Sequence, residues 1–338
     1  MPDGRHSPAD GFPEFRARFP WHGPHLQTLR NFLRRPEHPL PLGERRHFDM
    51  DDGTGDVLLG ALHRPERASG RPLAVLLHGL TGCEDAPYVR STAAALLAEG
   101  HPVLRLNLRG AGPSAPLCAE HYHAGRTGDI RRVLSLLGDA DTRDGVVLGG
   151  YSLGGNAALK FLGENDFPVP VLAGFSVSAP IDLSGCAQRF LRPANRVYHD
   201  RMLRQMKALA LACRPPLDPR WRDAILKSRT TWDFDHLLVG PRHGWSGAEE
   251  YYAVNSALGF LPRIRVPTLV LHALDDPWIP PDAYLSFDWA SNPHLTPLLS
   301  PGGGHVGFHG EGGVWSDRCL AVFLRRLPQR RSSESAGT

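Results

Sequence analysis

Apolar runs alternate with helix-like segments between residues 72 and 177. Residues 73–77 form a continuous apolar run that ends at His78, which is typical of a strand covered on both faces. The same reasoning predicts further strands at 102–108, 145–149 and 171–177, and helices at 87–99, 126–138 and 157–162. Strands and helices that alternate at this spacing predict βαβ units and therefore a parallel sheet.

The alternation stops near residue 183, and no strand is predicted from there to residue 262. Within this stretch, apolar residues at steps of three, four and three mark one face of a helix: Leu203, Met206, Ala210 and Cys213. Strands are predicted again at 267–272 and 295–299, followed by a last helix at 313–326. The pattern indicates a helical segment inserted into a parallel-sheet domain.

These patterns predict the domain organisation of the chain. Residues 11–182 and 263–328 form an α/β core, with a mostly parallel central sheet flanked by helices. Residues 183–262 form a helical cap inserted into that core. The polar ends, residues 1–10 and 329–338, are expected to be disordered.

The bulk composition narrows the class of protein. The 338 residues are 41% hydrophobic and carry a formal net charge of +3, which gives no indication of a nucleic-acid partner. Five cysteines without a CxxC pair argue for a reducing compartment rather than a disulfide framework. The N-terminus lacks the apolar run of a signal peptide, and no other run approaches the ~20 residues of a membrane span. We therefore expect a cytoplasmic protein with no integral membrane segment, and its oligomeric state stays open.

Gly150-Tyr151-Ser152-Leu153-Gly154 matches the pattern G-x-S-x-G. The pattern alone is weak, but here a buried strand runs into it and a helix follows directly. A sharp strand-to-helix turn lifts the serine hydroxyl above the carboxyl edge of the sheet. The N-terminus of the helix that begins at Leu153 favours negative charge at the same place. Ser152 is therefore the candidate nucleophile, and the alternative is a glycine-rich turn with an incidental serine.

A serine hydroxyl needs a neighbouring base, and an imidazole base needs a carboxylate on its second nitrogen. Asp275 and Asp276 follow a predicted buried strand, and His305 lies 29 residues beyond Asp276 in a glycine-rich loop. The order serine, acid, histidine is the one expected of this arrangement. We favour Asp276 over Asp275 as the acid because of its place at the exit of the strand, and we take His305 as the base.

An oxyanion intermediate requires two backbone N–H donors. Leu153, directly after the nucleophile, is one candidate, and Leu80, in the loop 78–82 after the first predicted buried strand, is the other. We interpret His78 as a structural residue that holds this loop. In the cap, aromatic residues could line an acyl pocket or simply pack between helices: Trp221, Trp232, Phe234, Trp245, Tyr251 and Tyr252.

With these residues in place, the chain resembles the YheT-type subgroup of the α/β-hydrolases, which are relatives of the abhydrolase-domain lipases. The segments that carry the likeness are GPHLQTL (23–29), HGLTG (78–82), NLRG (107–110), GYSLGGN (150–156), ALDDP (273–277) and GGHVGF (303–308). The likeness covers roughly residues 12–327. It implies an α/β-hydrolase fold and hydrolysis of carboxylic esters, with short acyl esters as substrates in bacterial members.

The sequence therefore predicts a serine esterase that cleaves short- to medium-chain acyl esters through an acyl-enzyme, with Ser152, Asp276 and His305 as a triad. No cofactor and no metal are expected, because no nucleotide-binding loop and no metal-ligand spacing occur. Two alternatives stay open. The same triad could act as an acyltransferase or thioesterase, or the fold could serve as a non-catalytic binding module.

Overall fold

The computed structural model of the protein describes residues 11–34, 38–67, 69–212 and 217–327. The expectations of disorder at residues 1–10 and 329–338 lie outside these residues, as does Cys213. The four cysteines within them are free. None of the described helices combines the length and the apolar character needed to cross a bilayer.

Eight strands form one central sheet, which is mostly parallel, as predicted. They are β1 (Glu44–Asp49), β2 (Val57–His63), β3 (Leu73–Leu77), β4 (Val103–Leu106), β5 (Val146–Tyr151), β6 (Val171–Val177), β7 (Thr268–Ala273) and β8 (Leu295–Ser300). Their order in the sheet is β1-β2-β4-β3-β5-β6-β7-β8. All pairs from β4 to β8 are parallel, whereas β1–β2 and β2–β4 are antiparallel. Two short strands, β9 (His309–Gly310) and β10 (Gly313–Val314), pair separately.

The first two strands were not predicted from the sequence. β2 is apolar enough to be a strand, and six of its seven residues are buried. β1 reads ERRHFD, and of its residues only Phe48 is buried, because it is the edge strand and pairs with β2 alone. A polar edge strand of this kind carries little of the alternation by which strands are recognised.

Helices cover both faces of the sheet and fill the predicted insertion. They are α1 (Pro24–Arg34), α2 (Pro87–Ala98), α3 (Thr127–Ser135), α4 (Asp139–Thr142), α5 (Leu153–Glu164), α6 (Leu183–Phe190), α7 (Arg196–Leu211), α8 (Pro219–Lys227), α9 (Thr231–Phe234), α10 (Gly240–Arg242), α11 (Ala248–Asn255), α12 (Asp282–Ser286) and α13 (Trp315–Arg325). A π-helical turn, Asp235–Val239, joins α9 to α10. Between β6 and β7, the described residues contain helices and turns but no strand.

The helix after the turn at Ser152 begins at Leu153, as the G-x-S-x-G motif predicts, and extends beyond the predicted segment 157–162. Gly163 lies inside the helix, where a β-carbon would lie only 2.5 Å from the carbonyl oxygen of Phe260. Gly163 therefore serves close packing. The helix ends at Glu164, and Asn165 after it adopts the left-handed conformation with φ of 55°.

Arg109, which follows β4, is a buried ionic node in the core domain. Its guanidinium bonds the carboxylates of Asp56 and Asp129 at 2.8 and 2.6 Å, and its side chain is 1% exposed. The pairs tie the start of β2 to the end of β4 and to α3. Removing one partner of such a network leaves the others as uncompensated buried charges.

We expect Arg109→Met to lower the free energy of unfolding by about 3–5 kcal/mol, since Asp56 would keep its burial without a cation. Asp129 would keep only its longer contact with Arg126, at 3.3 Å. Urea unfolding followed by circular dichroism measures the change. Arg16→Met is the matched control, because Arg16 and its partner Glu14 are 70% and 71% exposed. An equal unfolding midpoint in the two variants would contradict a structural role for the Arg109 node.

Candidate active site

Ser152 lies in the sharp turn between β5 and α5, with φ of 50° and ψ of −123°. An L-amino acid adopts such a conformation at a cost of about 1–3 kcal/mol, so the surroundings must hold it. The N–H of Ser152 donates to the carbonyl of Val177 on the neighbouring strand at 2.9 Å. A β-carbon at Gly150 would lie 2.3 Å from the carbonyl oxygen of Gly154, so the turn requires a glycine there.

The structure brings His305 to this serine. Nε2 of His305 lies 3.0 Å from Oγ of Ser152, and Nδ1 lies 2.8 Å from Oδ2 of Asp276. The imidazole is 6% exposed, and the ring of Trp278 lies against it with 4.3 Å between centroids. The three side chains form one hydrogen-bonded row from hydroxyl to imidazole to carboxylate.

Asp276 follows β7 and is 1% exposed. Its second oxygen, Oδ1, accepts hydrogen bonds from the N–H groups of Trp278 and Ile279 at 2.8 and 3.0 Å. Burial acts to raise the pKa of Asp276, but the charge of His305 and its hydrogen bond outweigh burial, so the pKa lies below its ordinary value. The carboxylate is thus held ionised and fixed in direction.

Asp275 points to a different partner. Its Oδ1 accepts a hydrogen bond from the N–H of Gly304 at 2.9 Å, and burial raises its pKa. The contact joins the loop after β7 to the loop that carries the histidine. Of the two neighbouring carboxylates, the structure therefore places Asp276, and not Asp275, against the imidazole.

The loop that carries His305 is fastened to helix α1, a role that sequence reasoning missed. The N–H of His305 donates to Oγ1 of Thr28 at 2.9 Å. The amide of Gln27 accepts from the N–H of His309 at 2.7 Å and donates to the carbonyl of His309 at 3.1 Å. Gln27 and Thr28 belong to the GPHLQTL segment that carries part of the family resemblance. The sequence therefore marked these two residues, but it did not show that they hold the histidine loop.

The loop 78–82 passes directly against the nucleophile turn. A β-carbon at Gly79 would lie 3.0 Å from Cβ of Ser152, and one at Gly154 would lie 2.3 Å from the carbonyl oxygen of His78. Two backbones can approach this closely only where glycines stand. The approach brings Leu80 and Leu153 to the wall of the cavity that contains Ser152.

His78 is fully buried and holds its loop rather than facing the cavity. The N–H of Leu108 donates to Nε2 at 3.1 Å, and Nδ1 lies 2.8 Å from the carbonyl oxygen of Gly79. A carbonyl only accepts, so the proton is on Nδ1 and the ring is neutral. Burial lowers its pKa to about 4, which agrees with the neutral form.

A cavity of about 1150 Å³ opens above Ser152 and His305. Residues of the helical segment line it together with α1, and three of the six aromatic residues proposed for a pocket belong to its wall: Phe234, Tyr251 and Tyr252. The other three pack against the hydrophobic cluster among the inserted helices: Trp221, Trp232 and Trp245. Within the described parts of the chain, no three His, Cys, Asp or Glu side chains are grouped to hold a metal ion.

Comparisons with known proteins show the family and the fold. The family described as "alpha/beta hydrolase fold" matches residues 72–311. The chain is 32% identical over 290 residues to "Putative esterase YheT" of Escherichia coli (strain K12), which covers 85% of this chain and 84% of that protein. It is also 32% identical over 267 residues to the monoacylglycerol lipase of Saccharomyces cerevisiae, and the match covers 75% of this chain and 59% of that protein. An esterase structure from Pyrococcus furiosus superposes with a TM-score of 0.58 at 17% identity, over 94% of this chain and 97% of that one, and shows the fold.

We expect Gly154→Ala to reduce the free energy of unfolding by about 1–3 kcal/mol, because overpacked cores relieve such a clash only by shifting backbone. The added methyl group would meet the carbonyl oxygens of His78 and Leu77 at 2.3 and 2.7 Å. Gly128→Ala in α3 is the matched control, since nothing lies within 4 Å of its β-carbon position. It should raise stability by up to about 1 kcal/mol. Equal changes in the free energy of unfolding for Gly154→Ala and Gly128→Ala would contradict the close approach of the loop 78–82 to the start of α5.

Proposed function

The chain belongs to the YheT-type subgroup of the α/β-hydrolase family and is a carboxylic-ester hydrolase, and we propose that Ser152, His305 and Asp276 form its catalytic triad. The observation that carries the proposal is the row of contacts from Oγ of Ser152 through both nitrogens of His305 to Oδ2 of Asp276. Few other arrangements give a serine both a base and a carboxylate that orients the base.

In the first step, Nε2 of His305 takes the hydroxyl proton of Ser152 as Oγ attacks the ester carbonyl. Asp276 accepts the hydrogen bond of Nδ1–H, which keeps Nε2 free as the acceptor and stabilises the imidazolium that forms. The two backbone N–H bonds to the other oxygen of Asp276 prevent the carboxylate from turning away. The imidazolium then gives its proton to the departing alcohol, leaving an acyl group on Ser152.

We assign the oxyanion to the backbone N–H groups of Leu80 and Leu153. Both residues line the cavity beside Ser152, and the glycines at 79 and 154 allow their two segments to meet there. The N-terminus of α5 adds a favourable dipole at the same point. Water activated by His305 completes the cycle by hydrolysing the acyl-enzyme, and the scheme requires no cofactor.

The cavity supports an acyl chain of short to medium length as the substrate group. Its volume of about 1150 Å³ lies slightly above the range of roughly 300–1,000 Å³ for small-molecule sites, so it has room for such a chain. Most of its wall is apolar, and the side chains of Leu80 and Leu153 pack against the hydrophobic cluster of the inserted helices. We therefore propose that the inserted helices act as a cap that holds the acyl chain next to the oxyanion site.

The adjacent aspartates give a direct test of the triad. We expect Asp276→Asn to lower kcat/KM for p-nitrophenyl butanoate by about 10³–10⁴-fold, because an amide cannot hold the imidazole in the productive tautomer. Asp275→Asn is the matched control, since its amide oxygen can still accept the hydrogen bond of Gly304. We expect that variant to stay within about threefold of wild type, the scale of a perturbed neutral hydrogen bond.

Steady-state kinetics of the two variants, with circular dichroism to show that both fold, decide the assignment. A large loss in the Asp275 variant with activity retained in the Asp276 variant would transfer the role to Asp275. Full activity in both would contradict the triad.

A further inference from the structure

Three polar side chains in the cavity wall have hydrogen-bonding capacity that no described residue uses. Oδ1 of Asp235 accepts no hydrogen bond from the residues that the structure describes, whereas its Oδ2 accepts one from the hydroxyl of Tyr252 at 2.7 Å. Oγ1 of Thr231 and both ring nitrogens of His121 are buried without a partner in the described part of the chain. Unused polar groups in a mostly apolar wall carry a desolvation cost, which a bound ligand could offset.

Local structure brings Asp235 and Thr231 together. Thr231 begins α9, whose start is fixed by a reciprocal capping box between Thr230 and Asp233. Asp235 comes four residues after Thr231, so the two side chains lie one turn apart on the same face. Asp235 is also the first residue of the π-helical turn. Such turns are rare in proteins, and those that occur are often found at functional sites.

The carboxyl of Asp235 has no countercharge. No Lys, Arg or His of the described residues forms an ion pair with it, and burial raises its pKa to about 7 despite the hydrogen bond from Tyr252. A half-buried carboxyl without a cation is costly to keep. Such a group in a cavity wall is a candidate for contact with a ligand.

His121 adds a neutral imidazole to the same part of the cavity. Its ring centroid lies 6.1 Å from that of Phe234, which stands between Thr231 and Asp235 in the chain. Burial lowers the pKa of His121 to about 3, so the ring offers one N–H donor and one acceptor. The group that best matches a carboxyl acceptor beside a threonine hydroxyl is a hydroxyl, because it can donate to the first and accept from the second.

We propose that Asp235 and Thr231 form a subsite for a hydroxyl group on the acyl chain, so that the enzyme prefers esters of hydroxylated acids over esters of plain alkanoic acids. The proposal rests on the proposed function, since it assigns a substrate class to the same cavity. A protonated amine could donate to both Asp235 and Oγ1 of Thr231, but it would leave the threonine hydroxyl proton without an acceptor.

The test compares methyl esters of hexanoic, octanoic and decanoic acids that end in methyl, hydroxyl or methoxy groups. At the chain length that reaches the subsite, we expect wild-type kcat/KM to be about tenfold higher for the hydroxyl ester than for the methyl-terminated ester. The methoxy ester should lose this advantage, because it can accept but not donate. Terminal-amine esters form an additional arm, and a greater preference for them than for the hydroxyl esters would overturn the choice of a hydroxyl.

The variants locate the preference. Asp235→Leu should bring the hydroxyl-to-methyl ratio of kcat/KM to one or below, and Thr231→Val should reduce it severalfold. Asp235→Asn keeps an acceptor oxygen of the same shape and should retain part of the ratio. Asp223→Asn on α8 is the control, since Asp223 is 58% exposed and should leave the ratio unchanged.

Binding to the inactive Ser152→Ala protein separates the two proposals. By calorimetry, this variant should bind the hydroxyl ester about tenfold more tightly than the methyl-terminated ester, and addition of Asp235→Leu should abolish the difference. Binding preference without any ester hydrolysis by wild type would contradict the proposed function and support the subsite. If wild type and Asp235→Leu hydrolyse the esters with the same hydroxyl-to-methyl ratio of kcat/KM, the subsite is overturned and the proposed function stands.

Discussion

Ser152 is held in a backbone conformation that an L-amino acid avoids, and the rest of the site depends on that constraint. The turn persists because β5 lies in the middle of the sheet, between β3 and β6, and because the serine N–H continues the pairing with Val177. The glycine at position 154 lets the loop 78–82 touch the turn. One strained residue thus fixes the direction of the hydroxyl, the start of α5 and the position of the loop 78–82 beside it.

The base is positioned from the opposite side, by contacts distant in sequence. Thr28 and Gln27 of α1 bind the backbone on either side of the histidine loop, and Asp275 binds it from the end of β7. A loop rich in glycine would otherwise sample many conformations, and each hydrogen bond removes some of that freedom. The geometry between His305 and Ser152 therefore depends on the sheet and on α1 together.

The sequence predicts the central strands and the three side chains that the structure brings together at Ser152, for a physical reason. Strands buried on both faces form continuous apolar runs, and a strand–turn–helix around Ser152 is a local pattern. The edge strand β1 is not predicted in this way, because five of its six residues are not buried. The motif predicts the start of α5 at Leu153, whereas periodicity marks only residues 157–162, because glycines conceal it in the first turn. Asp235 belongs to no recognisable motif, and only the folded structure shows that its carboxyl lies in the wall of the cavity.

The most direct test of the central claim is to locate an activated serine chemically. A fluorophosphonate reacts with a serine only when a base and an oxyanion site support the attack. Mass spectrometry of the labelled wild-type protein should find the adduct on Ser152, and Ser152→Ala and His305→Ala should remain unlabelled. A folded wild-type protein that does not label, or an adduct on another residue that persists in Ser152→Ala, would contradict the account.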